Sequence, residues 1–233
     1  MAAKLIIAVP AKGRLKDTAA ALFEQAGLAL RKTGHEHGYS GVMPGLDGVE
    51  VAFLSAAEIV HQLEAGRAHM GVTGEDLIRE TLPDVEESVE FLAPLGFGRA
   101  DVVVAVPDCW VDVARMADLE DVAAQFARTH GRRLRVATKY LNLTRRFFAN
   151  AGVAGYRIVE SVGATEGAPA AGTAELIVDI TTTGTTLKAN HLKVLEDGLI
   201  LKSQAHLFAA RRADWSESAL GLRDAILDRL HKV

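Results

Sequence analysis

The stretch that decides the fold runs Glu175-Leu176-Ile177-Val178-Asp179-Ile180-Thr181-Thr182-Thr183-Gly184-Thr185-Thr186-Leu187-Lys188-Ala189-Asn190. Leu176 to Ile180 reads as a buried strand, and it sets a carboxylate, Asp179, near its carboxyl end, where open α/β sheets bind their ligands. Hydroxyls follow at once. Thr182, Thr183, Thr185 and Thr186 offer side-chain donors, Gly184 lets the backbone bend close to a ligand, and a helix beginning near Thr185 presents free N–H groups. A Thr-rich turn that merely caps a helix has the same composition. The upstream carboxylate separates the two readings: Asp179 can hold two vicinal hydroxyls of a sugar while the loop holds the phosphate attached to it, which describes a phosphorylated ribose.

Outward from this stretch the chain alternates strand and helix, the signature of a mainly parallel sheet. Leu5 to Val9 is a short apolar strand; Leu15, Ala19, Leu22, Phe23 and Ala26 then share one helical face, and Gly27 ends the helix. Lys12, Gly13 and Arg14 lie between that strand end and helix start, where cationic side chains and free N–H groups meet an anion. Residues 31–48, with His35, His37 and several glycines, read as a long loop or irregular hairpin; no Cys or third His at ligand spacing supports a metal site there. Ser55 and Glu58 form a capping box for a helix over 56–65. Ala68 to Val72 is the next strand, and the junction Thr73-Gly74-Glu75-Asp76 puts Asp76 at the positive end of the following helix.

The Gly-rich segment 94–98 reads as a crossing between modules. Strands over 100–106, 134–138 and 156–159 follow, with helices around 119–129 and, capped by Asn142, through Asn150. Lys139, in Thr138-Lys139-Tyr140, and Glu160 and Glu166 fall at strand-end loops. Two further strands, 193–196 and 199–208, are expected to return to the first module, before a final helix with Ala219, Leu222, Ile226 and Leu230 on one face.

Composition narrows the function classes. With 49% hydrophobic residues in 233, the chain can bury a core without disulfides, and a single cysteine, Cys109, permits no intrachain bridge, as expected of a cytoplasmic protein. A formal net charge of −4 with acids and bases interspersed argues against nucleic-acid binding. No apolar run approaches membrane-spanning length, and Lys4 to Val9, followed by Pro10 and Lys12, reads as a strand rather than a signal-peptide core.

The run Glu166…Gly172-Thr173-Ala174-Glu175-Leu176 through Leu187 resembles the signature of the ATP phosphoribosyltransferase family, without departure. Pro10 to Leu15, Arg135 to Tyr140 and Asn142 to Arg146 extend the resemblance over nearly the whole chain. It implies two α/β lobes around a cleft, like a periplasmic binding protein of the second type, with a discontinuous first lobe over 1–96 plus 192–233 and a second lobe over 97–191. It implies condensation of ATP, through adenine N1, with 5-phosphoribosyl-1-pyrophosphate, opening histidine biosynthesis, with Mg²⁺ on the phosphates. Asp179 and Thr182 to Thr186 then hold the ribose phosphate. Lys12, Gly13, Arg14, Asp76, Lys139, Glu160 and Glu166 face ATP or pyrophosphate, and Asp179, Lys12 and Arg14 are the catalytic candidates. A chain ending after its last helix resembles the family's short form, which assembles with itself and with a histidyl-tRNA-synthetase-like regulatory subunit. A solute-binding module of the same architecture, or a phosphoribosyltransferase for another base, are the competing readings.

Overall fold

The computed structural model describes residues 5–33 and 39–233, and His35 and His37 lie outside this range. The chain forms two compact α/β units, the first from 1–98 and 204–233, the second from 99–203.

In the first unit, β1 (Leu5–Pro10) leads into α1 (Gly13–Gln25), and a small hairpin of β2 (Arg31–Lys32) and β3 (Ser40–Val42) precedes β4 (Val49–Leu54). Then come α2 (Ala56–Glu64), β5 (Met70–Gly74), α3 (Glu75–Thr81), α4 (Val85–Ser88) and β6 (Val89–Pro94). The second unit holds β7 (Ala100–Pro107), α5 (Met116–His130), β8 (Leu134–Thr138), α6 (Leu141–Asn150) and β9 (Tyr156–Glu160). A 3₁₀ turn (Thr165–Gly167), β10 (Leu176–Thr181), α7 (Thr185–Ala189) and β11 (Leu192–Ser203) complete it. The chain returns to the first unit with β12 (Ala205–Ala210) and α8 (Glu217–Leu230).

Strand order in the first sheet is β2-β3-β4-β1-β5-β12-β6, and β4, β1 and β5 run parallel, so Leu54, Pro10 and Gly74 end at one edge. Alternation along β1 explains why helices cover both faces. Leu5, Ile7 and Val9 pack with Phe23 of α1 and Ile226 and Leu230 of α8, whereas Ala8 packs with Ile59, Val60 and Leu63 of α2. The second sheet runs β11-β7-β10-β8-β9, with β10, β8 and β9 parallel and β7 antiparallel to β10 and β11. Its even-numbered residues Val102, Val104, Val136, Leu176 and Val178 meet Leu119 of α5 and Phe148 of α6; Val103, Ala105 and Ile177 meet Leu187 of α7.

The segment after α7 corrects the expected boundary. Residues 192–203 do not return to the first unit: they form β11 and pair antiparallel with β7, from Leu192 opposite Pro107 to Ser203 opposite Ala100. The register shifts between Val194 and Leu199. Gly198 sits inside that irregularity, where a Cβ would lie 2.9 Å from the Leu195 Cβ and 3.0 Å from the Val104 carbonyl oxygen. A bulge that admits only glycine reads, in sequence, as a break between two short strands. A second correction concerns α6: its N-cap is Tyr140, whose N–H donates to the Thr138 hydroxyl at 2.8 Å, and Asn142 falls inside the first turn.

Candidate active site

In the second unit the parallel strands β9, β8 and β10 end side by side, so Glu160, Thr138-Lys139 and Asp179-Ile180-Thr181 share one sheet edge. Thr138 lies opposite Glu160 in the register and is fully buried, while Glu160 and Lys139 are exposed. Tyr140 is buried in the core, and Lys139 Nζ rides 5.1 Å above its ring. The 3₁₀ turn carrying Glu166 is pinned by the buried Thr165 hydroxyl, which reaches the Ser161 hydroxyl at 3.0 Å and the Gly163 carbonyl at 3.1 Å.

Asp179 is the electrostatic centre of this edge. Burial pushes its carboxyl above the ordinary aspartate value; the Ile180 N–H and the Lys139 ammonium oppose that shift, and Glu166 adds to it. Its one hydrogen bond among the described residues comes from the Ile180 N–H, at 2.8 Å to Oδ1. A desolvated carboxylate with spare acceptor capacity gains when hydroxyl donors arrive.

The loop beyond it is held in shape by its own hydroxyls. Thr181 Oγ1 accepts from the Gly184 N–H at 2.9 Å, and the Thr183 and Thr185 hydroxyls are 2.8 Å apart. Gly184 takes the left-handed conformation, φ 72°, as N-cap of α7, with nothing within 4 Å of where a Cβ would stand. Thr182, Thr183, Thr185 and Thr186 thus surround a turn that is open on its glycine side. All the residues assigned to ribose phosphate come together here, as do Lys139, Glu160 and Glu166.

Lys12, Gly13, Arg14 and Asp76 belong to the first unit, at the shared edge of β1 and β5. Gly13, at φ 78°, turns the chain into α1, whose N-cap Lys12 is extended. The first turn of α1 contains no acid, and its exposed Lys12 and Arg14 add positive charge to the positive end of the helix, the reverse of the usual preference. Such an end is stabilised by an incoming anion. The start of α3 is the opposite case, because Glu75 and Asp76 occupy its first turn and already satisfy the dipole. Glu75, one residue from the expected Asp76, also pairs with Arg79 at 2.7 Å and approaches His206 at 3.9 Å. Beside the β1 edge, Pro10, Lys16, Leu30, Lys32 and Phe53 help line a cavity of about 200 Å³, with Lys32 Nζ 5.4 Å from the Phe53 ring centroid. Its walls come from three separated segments, which no local motif signals.

Residues 55–232 match the family model described as ATP phosphoribosyltransferase. The chain belongs to the ATP phosphoribosyltransferase family. A relative of that name from Bradyrhizobium sp. (strain ORS 278) is 59% identical over 231 residues, covering 99% of this chain and 71% of the relative. One from Nitrobacter hamburgensis is 60% identical over 230 residues, with the same coverage. ATP phosphoribosyltransferases are pentosyltransferases that act at the first step of histidine biosynthesis, and this is the reaction the chain performs. In fold it is similar to the ATP phosphoribosyl transferase (HisG:HisZ) complex from Thermotoga maritima, at TM-score 0.74 and 24% identity over 98% of this chain and 96% of that one. It is also similar to the substrate binding protein of an amino acid ABC transporter, at TM-score 0.53 and 13% identity over 98% and 92%. The ATP phosphoribosyltransferase fold here is thus of the periplasmic-binding-protein type, with two α/β lobes and a discontinuous first one.

Proposed function

We propose that Asp179 and the Thr182–Thr186 loop bind the ribose 5-phosphate half of 5-phosphoribosyl-1-pyrophosphate, and that Lys12 and Arg14 bind pyrophosphate or the ATP phosphates. The observation that carries this reading is Asp179 itself, a partly buried carboxylate with one backbone donor, followed directly by the hydroxyl loop. The ribose hydroxyls donate to Asp179 and offset its desolvation, while the loop hydroxyls and N–H groups receive the phosphate oxygens.

The reaction asks little covalent chemistry of the protein. Adenine N1 carries a lone pair and no proton, so its attack on C1 of the ribose requires no general base. Positive charge grows on the ribose ring as the C1–oxygen bond breaks, and the Asp179 carboxylate lies on the sugar side to stabilise it. Lys12, Arg14 and the first-turn N–H groups of α1 are suited to phosphate charge, whether on pyrophosphate or on ATP. Fixing both substrates in line supplies much of the remaining rate. Gly13, Asp76, Lys139, Glu160 and Glu166 border ATP or pyrophosphate, and Lys139 also favours the charged form of Asp179 against the effect of its burial.

Among the described residues no group of three acids, histidines or cysteines is placed to hold a metal. Mg²⁺ would be carried on substrate phosphates and water, the ligands it prefers. The chemistry it would supply there is neutralisation of leaving-group charge.

The family's biosynthetic role and the lone cysteine favour a cytoplasmic setting. No helix among the described residues is long and apolar enough to cross a membrane. The Thermotoga structure is a HisG:HisZ complex, which supports a HisZ-like regulatory partner for this chain; that this partner is histidyl-tRNA-synthetase-like, and that the chain also assembles with itself, belong to the same proposal. Absorbance of phosphoribosyl-ATP, followed with ATP, 5-phosphoribosyl-1-pyrophosphate and Mg²⁺, with and without such a subunit, tests the reading. Product formation that survives Asp179→Ala at normal rate overturns the site assignment, and strong histidine inhibition of the chain alone overturns the regulatory one.

A further inference from the structure

Arg132, Arg133, Arg135, Tyr156 and Arg157 line a cavity of about 320 Å³ in the second unit, at the amino-terminal ends of β8 and β9. It lies at the other end of these strands from the Asp179 edge, about 16 Å away for five residues at the usual strand rise. Pairing of β8 with β9 sets Arg135 directly opposite Arg157. Like charges in that position oppose the pairing.

One carboxylate answers this cluster. Glu175 accepts from Arg132 at 3.0 Å and from Arg135 at 2.7 Å, and Arg135 also donates to the Gly172 carbonyl at 2.8 Å. Arg133 and Arg157 are exposed and form no ion pair with any described residue. Arg145 adds a fifth positive charge close enough to act on the Tyr156 hydroxyl. Four arginines thus line a cavity that has no acid in its wall, and two of them are engaged by Glu175 nearby. The cavity is half-open, the arginine stems and Tyr156 form much of its wall, and the forks of Arg133 and Arg157 are available to the tetrahedral, multiply charged oxygens of phosphate. The volume lies at the lower end of the roughly 300–1,000 Å³ of small-molecule sites, which suits a short phosphate chain.

We propose that this cavity is a second anion site, taking a compact oligophosphate, free or as the phosphate chain of a nucleotide. It is separate from the Thr182–Thr186 loop, and its test distinguishes the two. Calorimetric titration with sodium tripolyphosphate, without Mg²⁺, compares the full chain with an Arg133→Ala/Arg157→Ala variant and with a Thr183→Val/Thr185→Val loop variant. Both arginines lie outside the Glu175 ion pairs, so the fold's own contacts stay in place.

The expected result is two classes of tripolyphosphate binding, one weakened at least tenfold in the arginine variant and kept in the loop variant, the other weakened in the loop variant alone. Unchanged binding in the arginine variant, or complete loss in the loop variant, overturns the proposal. Were only the loop assignment wrong, the loop variant would keep both classes of binding while the arginine variant still lost one. An Arg133→Lys/Arg157→Lys variant keeps the charge but removes the bidentate geometry; it should bind more weakly than the parent, and equal binding counts against the site. ATP in a second arm separates the sources. Loss of its binding in the arginine variant assigns the cavity to nucleotides, and loss of tripolyphosphate binding alone assigns it to free oligophosphate; either outcome upholds the site.

Discussion

The two ends of β10 carry one acid each, and their environments are opposite. Glu175, at the start, is gripped by Arg132 and Arg135 and by the Arg135 N–H at 2.7 Å, so that, against the opposing effect of its own burial, its carboxyl falls to about 2. Asp179, four residues on, receives one backbone N–H and is pushed up by burial. The same residue chemistry on the same strand is therefore fully partnered at one end and under-partnered at the other. A buried polar group left short of partners costs stability, and the end that bears this cost is the one proposed to bind the ribose phosphate.

The sharpest way to break the comparison is Asp179→Asn. It keeps the volume and removes the charge, so kcat/KM for phosphoribosyl-ATP formation should fall by at least ~100-fold, the scale of losing a preorganised charged contact to the reacting group. Steady-state kinetics on a variant with unchanged circular dichroism checks this; a fall under about threefold would remove Asp179 from the site. Glu175→Gln should do the reverse. Turnover per folded molecule stays within about twofold, while urea unfolding shows a loss of about 1–3 kcal/mol, discounted for the solvent that still reaches the arginines. Because Glu175 has a lowered value in the folded state, its contribution is present above the ordinary carboxylate range, near 4.5, and is lost as pH falls toward 2. The stability gap between parent and variant should close over that window.

Gly184→Ala comes next in size. Open space surrounds the new Cβ, so the cost is the left-handed backbone, about 1–2 kcal/mol for a non-glycine residue at φ 72°. If the turn relaxes to escape that strain, the Thr181-to-Gly184 hydrogen bond opens and KM for 5-phosphoribosyl-1-pyrophosphate rises while the ATP KM holds. A uniform change in both would detach Gly184 from phosphate binding.

What the sequence shows depends on how local each feature is. Asp179 through Thr186 is contiguous, so strand, carboxylate and loop are all visible in one run, and β10 and α7 form where that run predicts. Glu175 lies in the same run, yet its partners, Arg132 and Arg135, stand about forty residues upstream, and its structural role follows only from the pairing of β8 with β10. The boundary after α7 was hidden for a related reason: Gly198 marks a bulge that depends on β7 passing close by, and nothing adjacent in sequence announces that strand. The arginine cavity is also non-local, because Arg135 and Arg157 meet through β-sheet register. Residues 12–14 sit between the two cases. Their charge is legible, but the acid-free first turn of α1 becomes an argument only once the helix is known to begin at Gly13.

The smallest expected effect tests the same contrast in the absence of substrate. A carboxyl whose folded-state value is raised binds its proton more tightly in the folded protein than in the unfolded chain, so its charged form opposes folding. For Asp179 this penalty is absent below the ordinary aspartate range, grows as pH rises through the raised value, and is complete above it. Asp179→Asn removes the titration, so the ligand-free variant should unfold at a slightly higher temperature than the parent at neutral pH, and that difference should vanish in acid. Scanning calorimetry from pH 4 to pH 8 reads both limits. A neutral-pH melting point lowered by the substitution would mean that the Asp179 charge is already well served by its protein neighbours, and the two ends of β10 would then be alike.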